Sequence, residues 1–177
     1  FPFIFQDRFH AYDAVDGEVG EQLFSDMSDA TGIKKLAVFE SGFRQVTNSK
    51  HAIHVPADFK GVKIRAVDSP INLDTFAALG ANAAPMAVSE VFTALQQGTV
   101  DGQDNPIGNV YAYGFHEVQD YITLTGHQWA GIILLINDKV FNKIPAEYQQ
   151  IVLDAAKEAE TWEREEINSV EAEWLDL

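Results

Sequence analysis

The chain has 177 residues, 46% of them hydrophobic, with a formal net charge of −15 and no cysteine. It is long enough to bury the core of one domain or two small ones. So acidic a surface repels nucleic acid and anionic membrane at long range, and the missing cysteine excludes disulfides, thiolate metal sites and a cysteine nucleophile.

In chain order, residues 1–10 form an apolar, partly aromatic lead-in. A helix is predicted over 19–27, with Val19, Leu23, Phe24 and Met27 on one face. Residues 35–39 read as a strand, so that LAVF, a loop ESG and a second strand FRQVT follow one another, with Arg44 close to Gly42 where the backbone can bend. Two βα patterns come next. In the first, Val62, Ile64 and Ala66 alternate with Lys63 and Arg65, which turns Arg65 away from the core-facing set. Ser69-Pro70 then supplies an N-cap and first helical residue, Leu73, Phe76, Ala77 and Leu79 an apolar stripe, and Gly80 a stop. The second pattern rests on a helix over 90–97, started by Ser89 and stopped by Gly98. Asp101-Gly102 reads as a turn out of this unit, stabilised by Gln103 and Asp104.

A short helix over 106–113 and a segment over 117–124 lead to GIILLIN at 131–137, which reads as a strand buried on both faces. That run is far shorter than the roughly 18 residues a bilayer-spanning helix needs. From residue 146 one long acidic, amphipathic helix is expected, with Ile151, Ala155, Ala159, Trp162 and Ile167 as its apolar stripe. There is no internal repeat and no low-complexity linker.

The first βα unit carries the chemistry. Ligands of open α/β sheets bind outside the carboxyl ends of strands, where helix N-termini offer free N–H groups. Arg65 sits at such an end beside the start of a helix, and a guanidinium grips a carboxylate with two parallel hydrogen bonds. Catalytic readings are weaker. His10 with Asp7 and Asp13 suggests an acid/base cluster, and His51 with His54 a metal pair, but residues three apart on an extended segment face opposite sides. No phosphate loop, nucleophile elbow or zinc-protease motif occurs, so neither catalysis nor a metal nor any cofactor is expected.

Residues 61–106 hold KIR, then LGAN about 15 residues on, then PMAVSEVFTALQQGTVDGQDNP. This long ordered pattern resembles the solute-binding proteins of tripartite ATP-independent periplasmic (TRAP) transporters, the DctP-like family. The resemblance extends to SGFRQVTNSK at 41–50, PADFKG at 56–61, FHEVQDYITLTGH at 115–127 and INDKVFNKIPAEYQQIVLDAAKEA at 136–159, nearly the whole chain. It implies an α/β, two-lobed periplasmic-binding-protein-like fold with a long lobe-spanning helix, incomplete here. Residues 1–42 would be the remainder of lobe I, 43–130 lobe II, 131–170 a return to lobe I, and 171–177 the start of a return to lobe II. Family members are longer at both ends, and this chain opens on FPFIF and closes within a helical pattern, as a fragment would.

The resemblance also implies a function: periplasmic capture of an organic acid in a cleft between the lobes, and its delivery to the small and large TRAP membrane subunits. No nucleic acid and no direct membrane insertion is expected. A ligand-sensing domain of the same fold in a signalling protein is the alternative. Arg65 would hold the carboxylate, and Arg44 would help from the crossover strand or else form a salt bridge. Asn105 offers an amide donor and acceptor to the ligand, or caps a helix before Pro106, two compatible roles. Asp68, three residues after Arg65, accepts from ligand hydroxyls or pairs with an arginine. Val88 stands where many members carry an aromatic that packs on the ligand, which leaves Trp129, after His127, as the apolar wall. Asp68 and Asn105 tilt the ligand toward a hydroxylated or sugar acid, whereas Arg44 meeting a second carboxylate would tilt it toward a C4-dicarboxylate.

Overall fold

A computed structural model of the chain describes residues 1–175. Its order is α1 (Arg8–Asp16), α2 (Glu18–Thr31), β1 (Ile33–Asn48), β2 (Lys63–Ala66), α3 (Pro70–Ala78), β3 (Asn82–Pro85), α4 (Val88–Gln96), β4 (Gly102–Pro106), α5 (Ile107–Ala112), β5 (Tyr121–Asn137), α6 (Asp138–Phe141) and α7 (Ala146–Leu175), with short 3-10 turns at Pro56–Phe59 and Phe115–Val118. The strands form one sheet in the order β3-β2-β4-β1-β5. Two compact units divide the chain. One holds Phe1–Ile4 and Phe43–Trp129, and the other Phe5–Gly42 and the chain from Ala130 onward, so β1 and β5 each contribute to both. Of the segment expected over 171–177, residues 171–175 continue α7, and 176 and 177 lie outside the described residues.

The unit built on residues 43–129 is a layered α/β arrangement. β2 pairs in parallel with β3 and with β4, and β4 pairs antiparallel with β1. Strand alternation gives each face its own core. Ile64 and Ala66 join Val46, Ile53, Phe59 and Phe76 on one face, while Ala84, in register with Arg65, packs with Val91, Leu95, Val100 and Phe115 on the other. α3 starts at Pro70 after Ser69, as read from the sequence, with Leu73 and Leu79 packed against the first core and Ala77 left exposed. α4 begins at Val88, so Ser89 lies inside the helix and Ala87 is its N-cap.

The turn expected at residues 101–104 is a strand. β4 is buried at every position, because β1 and β2 flank it on both sides. Gly102 is required there, since a Cβ would stand 2.2 Å from the Thr47 carbonyl oxygen. Asn105 is likewise a strand residue, and the N-cap of α5 is Pro106.

The other unit is held together by charge. α1, absent from the expected elements, is capped by Asp7, whose carboxylate accepts from His10 N–H at 2.8 Å. α2 leans on α1 through Gly20, where a Cβ would meet the Val15 carbonyl oxygen at 2.0 Å, leaving Val19 and Leu23 exposed. The expected ESG loop is continuous strand, with Gly42 at φ 108 taking up the bend. The expected stripe of α7 is also out of phase, since Ile151 and Trp162 are exposed and the buried face is Ala156, Glu160 and Arg164.

The reason lies on β1. Glu160 accepts from Val38 N–H at 2.8 Å, the Arg164 Nε and Nη2 donate to the Val38 carbonyl at 3.0 and 2.7 Å, and Glu163 accepts from Glu40 N–H at 2.9 Å. Side chains of α7 thus take the place of a neighbouring strand along this stretch. GIILLIN is also unlike the expectation, as Ile132, Ile133, Leu134 and Leu135 are all exposed: β5 is the end strand of the sheet among the described strands, not an inner one.

Candidate functional site

The candidate residues of the first unit fall on both faces of its sheet. Arg65 stands opposite Gln103 in the β2–β4 register, and Asn105 follows on the same face two residues later. The Arg65 residue is only 4% exposed. Its Nε and Nη2 donate to the Met86 carbonyl at 2.9 and 2.7 Å, just after β3 ends. One edge of the guanidinium is thereby fixed. The other, bearing Nη1, has no acceptor among the described residues, and Arg65 makes no ion pair there. Burial holds its pKa below the ordinary arginine value, Asp104 opposes that shift, and Arg44 adds to it. Arg65 is therefore a buried cation without a bound counter-charge.

Asn105 donates to Gln103 Oε1 at 2.6 Å, Gln103 donates to Thr47 Oγ1 at 2.9 Å, and Thr47 donates to Gln119 Oε1 at 3.0 Å. This chain of amides and hydroxyls rigidifies the floor beside Arg65. On the opposite face Arg44, Asp104 and His127 meet. Arg44 Nε donates to Asp104 Oδ2 at 2.5 Å and its Nη2 to the Asp104 carbonyl at 2.5 Å, while His127 Nε2 lies 3.3 Å from the same Oδ2. The His127 Nδ1 lies 2.8 Å from Thr125 Oγ1, and its ring meets Phe76 edge-on at 5.5 Å. Asp104 is 1% exposed. Burial alone would raise its pKa, but the bonds from His127 and Arg44 hold it below the usual carboxylate range. Its Oδ1 is buried without a partner.

Asp68 is exposed in the turn between β2 and α3, three residues past Arg65, and Val88 is a partly exposed first residue of α4. Trp129 is half-buried on β5. The N-cap Ser69 makes no side-chain bond to its helix, so the first turn of α3 keeps its N–H groups uncapped beside the end of β2. Sequence reasoning missed Met86 and Asp104. A backbone carbonyl leaves no mark in a sequence, and Asp104 was hidden by a run of turn-forming residues. A separate cavity of about 240 Å³ is lined by Phe3, Ile53, Phe59, Phe76, Leu124 and His127 among others, with no arginine in its wall. Among the described residues, no group of three His, Cys, Asp or Glu side chains could hold a metal ion.

A family model described as "Bacterial extracellular solute-binding protein, family 7" (DctP) matches residues 1–177. The 2,3-diketo-L-gulonate-binding periplasmic protein YiaO of Escherichia coli is 40% identical over 163 residues, 92% of this chain and 49% of that protein. Among solved structures, a TRAP periplasmic solute-binding protein from a Polaromonas species, bound to D-erythronate, is 37% identical with a TM-score of 0.92, over 99% of this chain and 58% of that one. Another from Sulfurospirillum deleyianum, with bound succinate, is 38% identical with a TM-score of 0.89, over 99% of this chain and 56% of that one. The chain spans about half the length of the curated relatives it matches.

Proposed function

The chain belongs to family 7 of the bacterial extracellular solute-binding proteins, the DctP family, and from that membership we propose that the full-length protein captures an organic acid in the periplasm and hands it unchanged to the membrane subunits of a TRAP transporter. Its ligand is a hydroxylated or sugar acid, held by the carboxylate. One observation carries this reading: Arg65, buried at the carboxyl end of β2, offers a guanidinium edge with no acceptor among the described residues. Fixing its other edge on Met86 lowers the entropy lost when a carboxylate docks. Asn105, Asp68, Val88 and Trp129 are the remaining ligand-facing candidates, with Arg44 and His127 behind them. The two compact units belong, in this reading, to separate lobes of the full-length protein. The bound sugar acids and the succinate of related structures agree with a carboxylate-first site.

The test is a thermal-shift screen of organic acids on the full-length protein, followed by calorimetry on the strongest responders. A ligand at 100 times its dissociation constant stabilises by about 2.7 kcal/mol. A melting curve unmoved by every sugar acid, hydroxy acid and dicarboxylate would sink the proposal.

A further inference from the structure

Asn105 ends a run of four hydrogen-bonded side chains within one unit, and the direction of every bond in that run is fixed from its far end. Gln119, partly exposed just before β5, sets it. Its Nε2 donates to the Val118 carbonyl at 3.0 Å and to the Asp101 carbonyl at 3.4 Å. A carbonyl only accepts, so the nitrogen of this amide must face the backbone and its Oε1 must face Thr47. The Thr47 hydroxyl then has to donate to Gln119, which leaves its lone pairs for Gln103 Nε2. With its nitrogen so engaged, Gln103 turns Oε1 to Asn105, and Asn105 answers with Nδ2. Thr47 and Gln103 are 2% and 0% exposed, so bulk water does not compete for these bonds.

The consequence falls on the last member. One N–H of Asn105 is used by Gln103, while Oδ1 and the second N–H have no partner among the described residues. We propose that Gln119, Thr47 and Gln103 are positioning residues that lock the Asn105 amide with its oxygen as a free acceptor, so that the site selects a hydroxyl over a keto oxygen close to the carboxylate of its ligand. This rests on the reading of Arg65 as the carboxylate anchor, since Gln103 stands opposite Arg65 in the β2–β4 register and Asn105 follows on the same face. A hydroxyl can donate to Oδ1. A keto oxygen only accepts: it can take the second N–H, but it leaves Oδ1 unpaired in a poorly solvated place. If the amide could turn over, its nitrogen would stand where Oδ1 is and would serve both ligands alike.

The test uses the full-length protein labelled with nitrogen-15 asparagine. One reading needs no ligand: the side-chain NH2 resonances of Asn105, identified by their loss in Asn105→Asp. They should move or split in Thr47→Val, which keeps the shape but removes the hydroxyl, and return to their parent positions in Thr47→Ser. The second reading is calorimetry with D-glycerate and hydroxypyruvate, monoanions that differ in whether the second carbon bears a hydroxyl or a ketone. The parent should prefer D-glycerate by about tenfold, the size of one unpaired acceptor. That preference should fall severalfold in Thr47→Val and recover in Thr47→Ser, a recovery not expected of a merely structural role. Resonances unmoved by Thr47→Val, or a parent that takes hydroxypyruvate as tightly as D-glycerate, overturn the inference. If Thr47→Val fails to fold, Gln119→Leu at the partly exposed end decides by the same readings, because it frees the whole run to reverse. If neither three-carbon acid binds, the resonances decide alone. A parent that binds no organic acid at all would instead strike the functional reading beneath.

Discussion

Arg164 and Arg65 are both buried arginines, one in each compact unit, and their surroundings differ in kind. Arg164 donates twice to the Val38 carbonyl, pairs with Asp16 at 2.7 Å and lies over the Tyr12 ring at 4.3 Å. Around it, Arg8 bonds Asn168 and Glu171, Tyr12 bonds Glu40, and Lys157 reaches Glu160 at 2.5 Å. Arg65 has one carbonyl. Burial alone would lower the Arg164 pKa, but Asp16 and Glu160 leave it raised, whereas burial leaves that of Arg65 lowered. A buried charge marks a binding site only when its partners fall short, and Tyr12, pushed up by burial and by Glu40, belongs to the satisfied class.

The comparison breaks most visibly at Arg164. Arg164→Met removes both guanidinium bonds to Asp16 and empties the Val38 carbonyl, so about 3–5 kcal/mol of stability should be lost in urea unfolding. Retention of parental stability would show that α7 does not need its charged face.

Arg65→Lys in the full-length protein should do the reverse, losing about 2–5 kcal/mol of organic-acid binding with little change in melting temperature, because an ammonium cannot keep both the Met86 contact and a bidentate carboxylate. Parental affinity in calorimetry would remove Arg65 from the site.

A smaller effect sharpens the contrast through pH. Burial raises the Asp16 pKa, but the Arg164 bond outweighs it and the folded value falls below the ordinary 3.8. Asp16 therefore contributes stability above its unfolded pKa, and that contribution is lost as pH falls through the folded value. Asp16→Asn should be less stable than the parent at pH 7 by about 1 kcal/mol, and the gap should close toward roughly pH 3. A gap independent of pH would mean that the Asp16 charge does not matter. Glu163, raised by burial, runs the opposite way and is common to both proteins.

The parts of this arrangement visible in the sequence are those where pattern and punctuation agree. Alternation at residues 62–66, the Ser69-Pro70 start and Gly80 located β2 and α3, and put Arg65 off the Ile64 face. What stayed hidden depends on neighbours far along the chain. Gly102, Asp104, Asn105 and Pro106 are turn formers by local preference, and only pairing with β1 and β2 makes them a strand, with Asp104 partnered by Arg44 and His127 and Asn105 by Gln103. In α7 the helical period was readable but its phase was not. Apolar residues mark the face toward a hydrophobic neighbour, and this helix turns toward backbone amides and carbonyls that call for Glu160, Glu163 and Arg164.

Those same charged side chains give β1 something the outer strand lacks. Val38 and Glu40 cannot recruit a foreign strand, since α7 already holds their backbone groups. Along Ile132 to Leu135, four apolar residues lie exposed on the end strand among the described strands, with no charge and no proline in the run to block addition. Handled as a separate polypeptide, the chain would have its solubility set by a contest between edge-to-edge self-association there and the mutual repulsion of molecules carrying a net charge of −15. Added salt weakens only the repulsion, so self-association should grow with ionic strength.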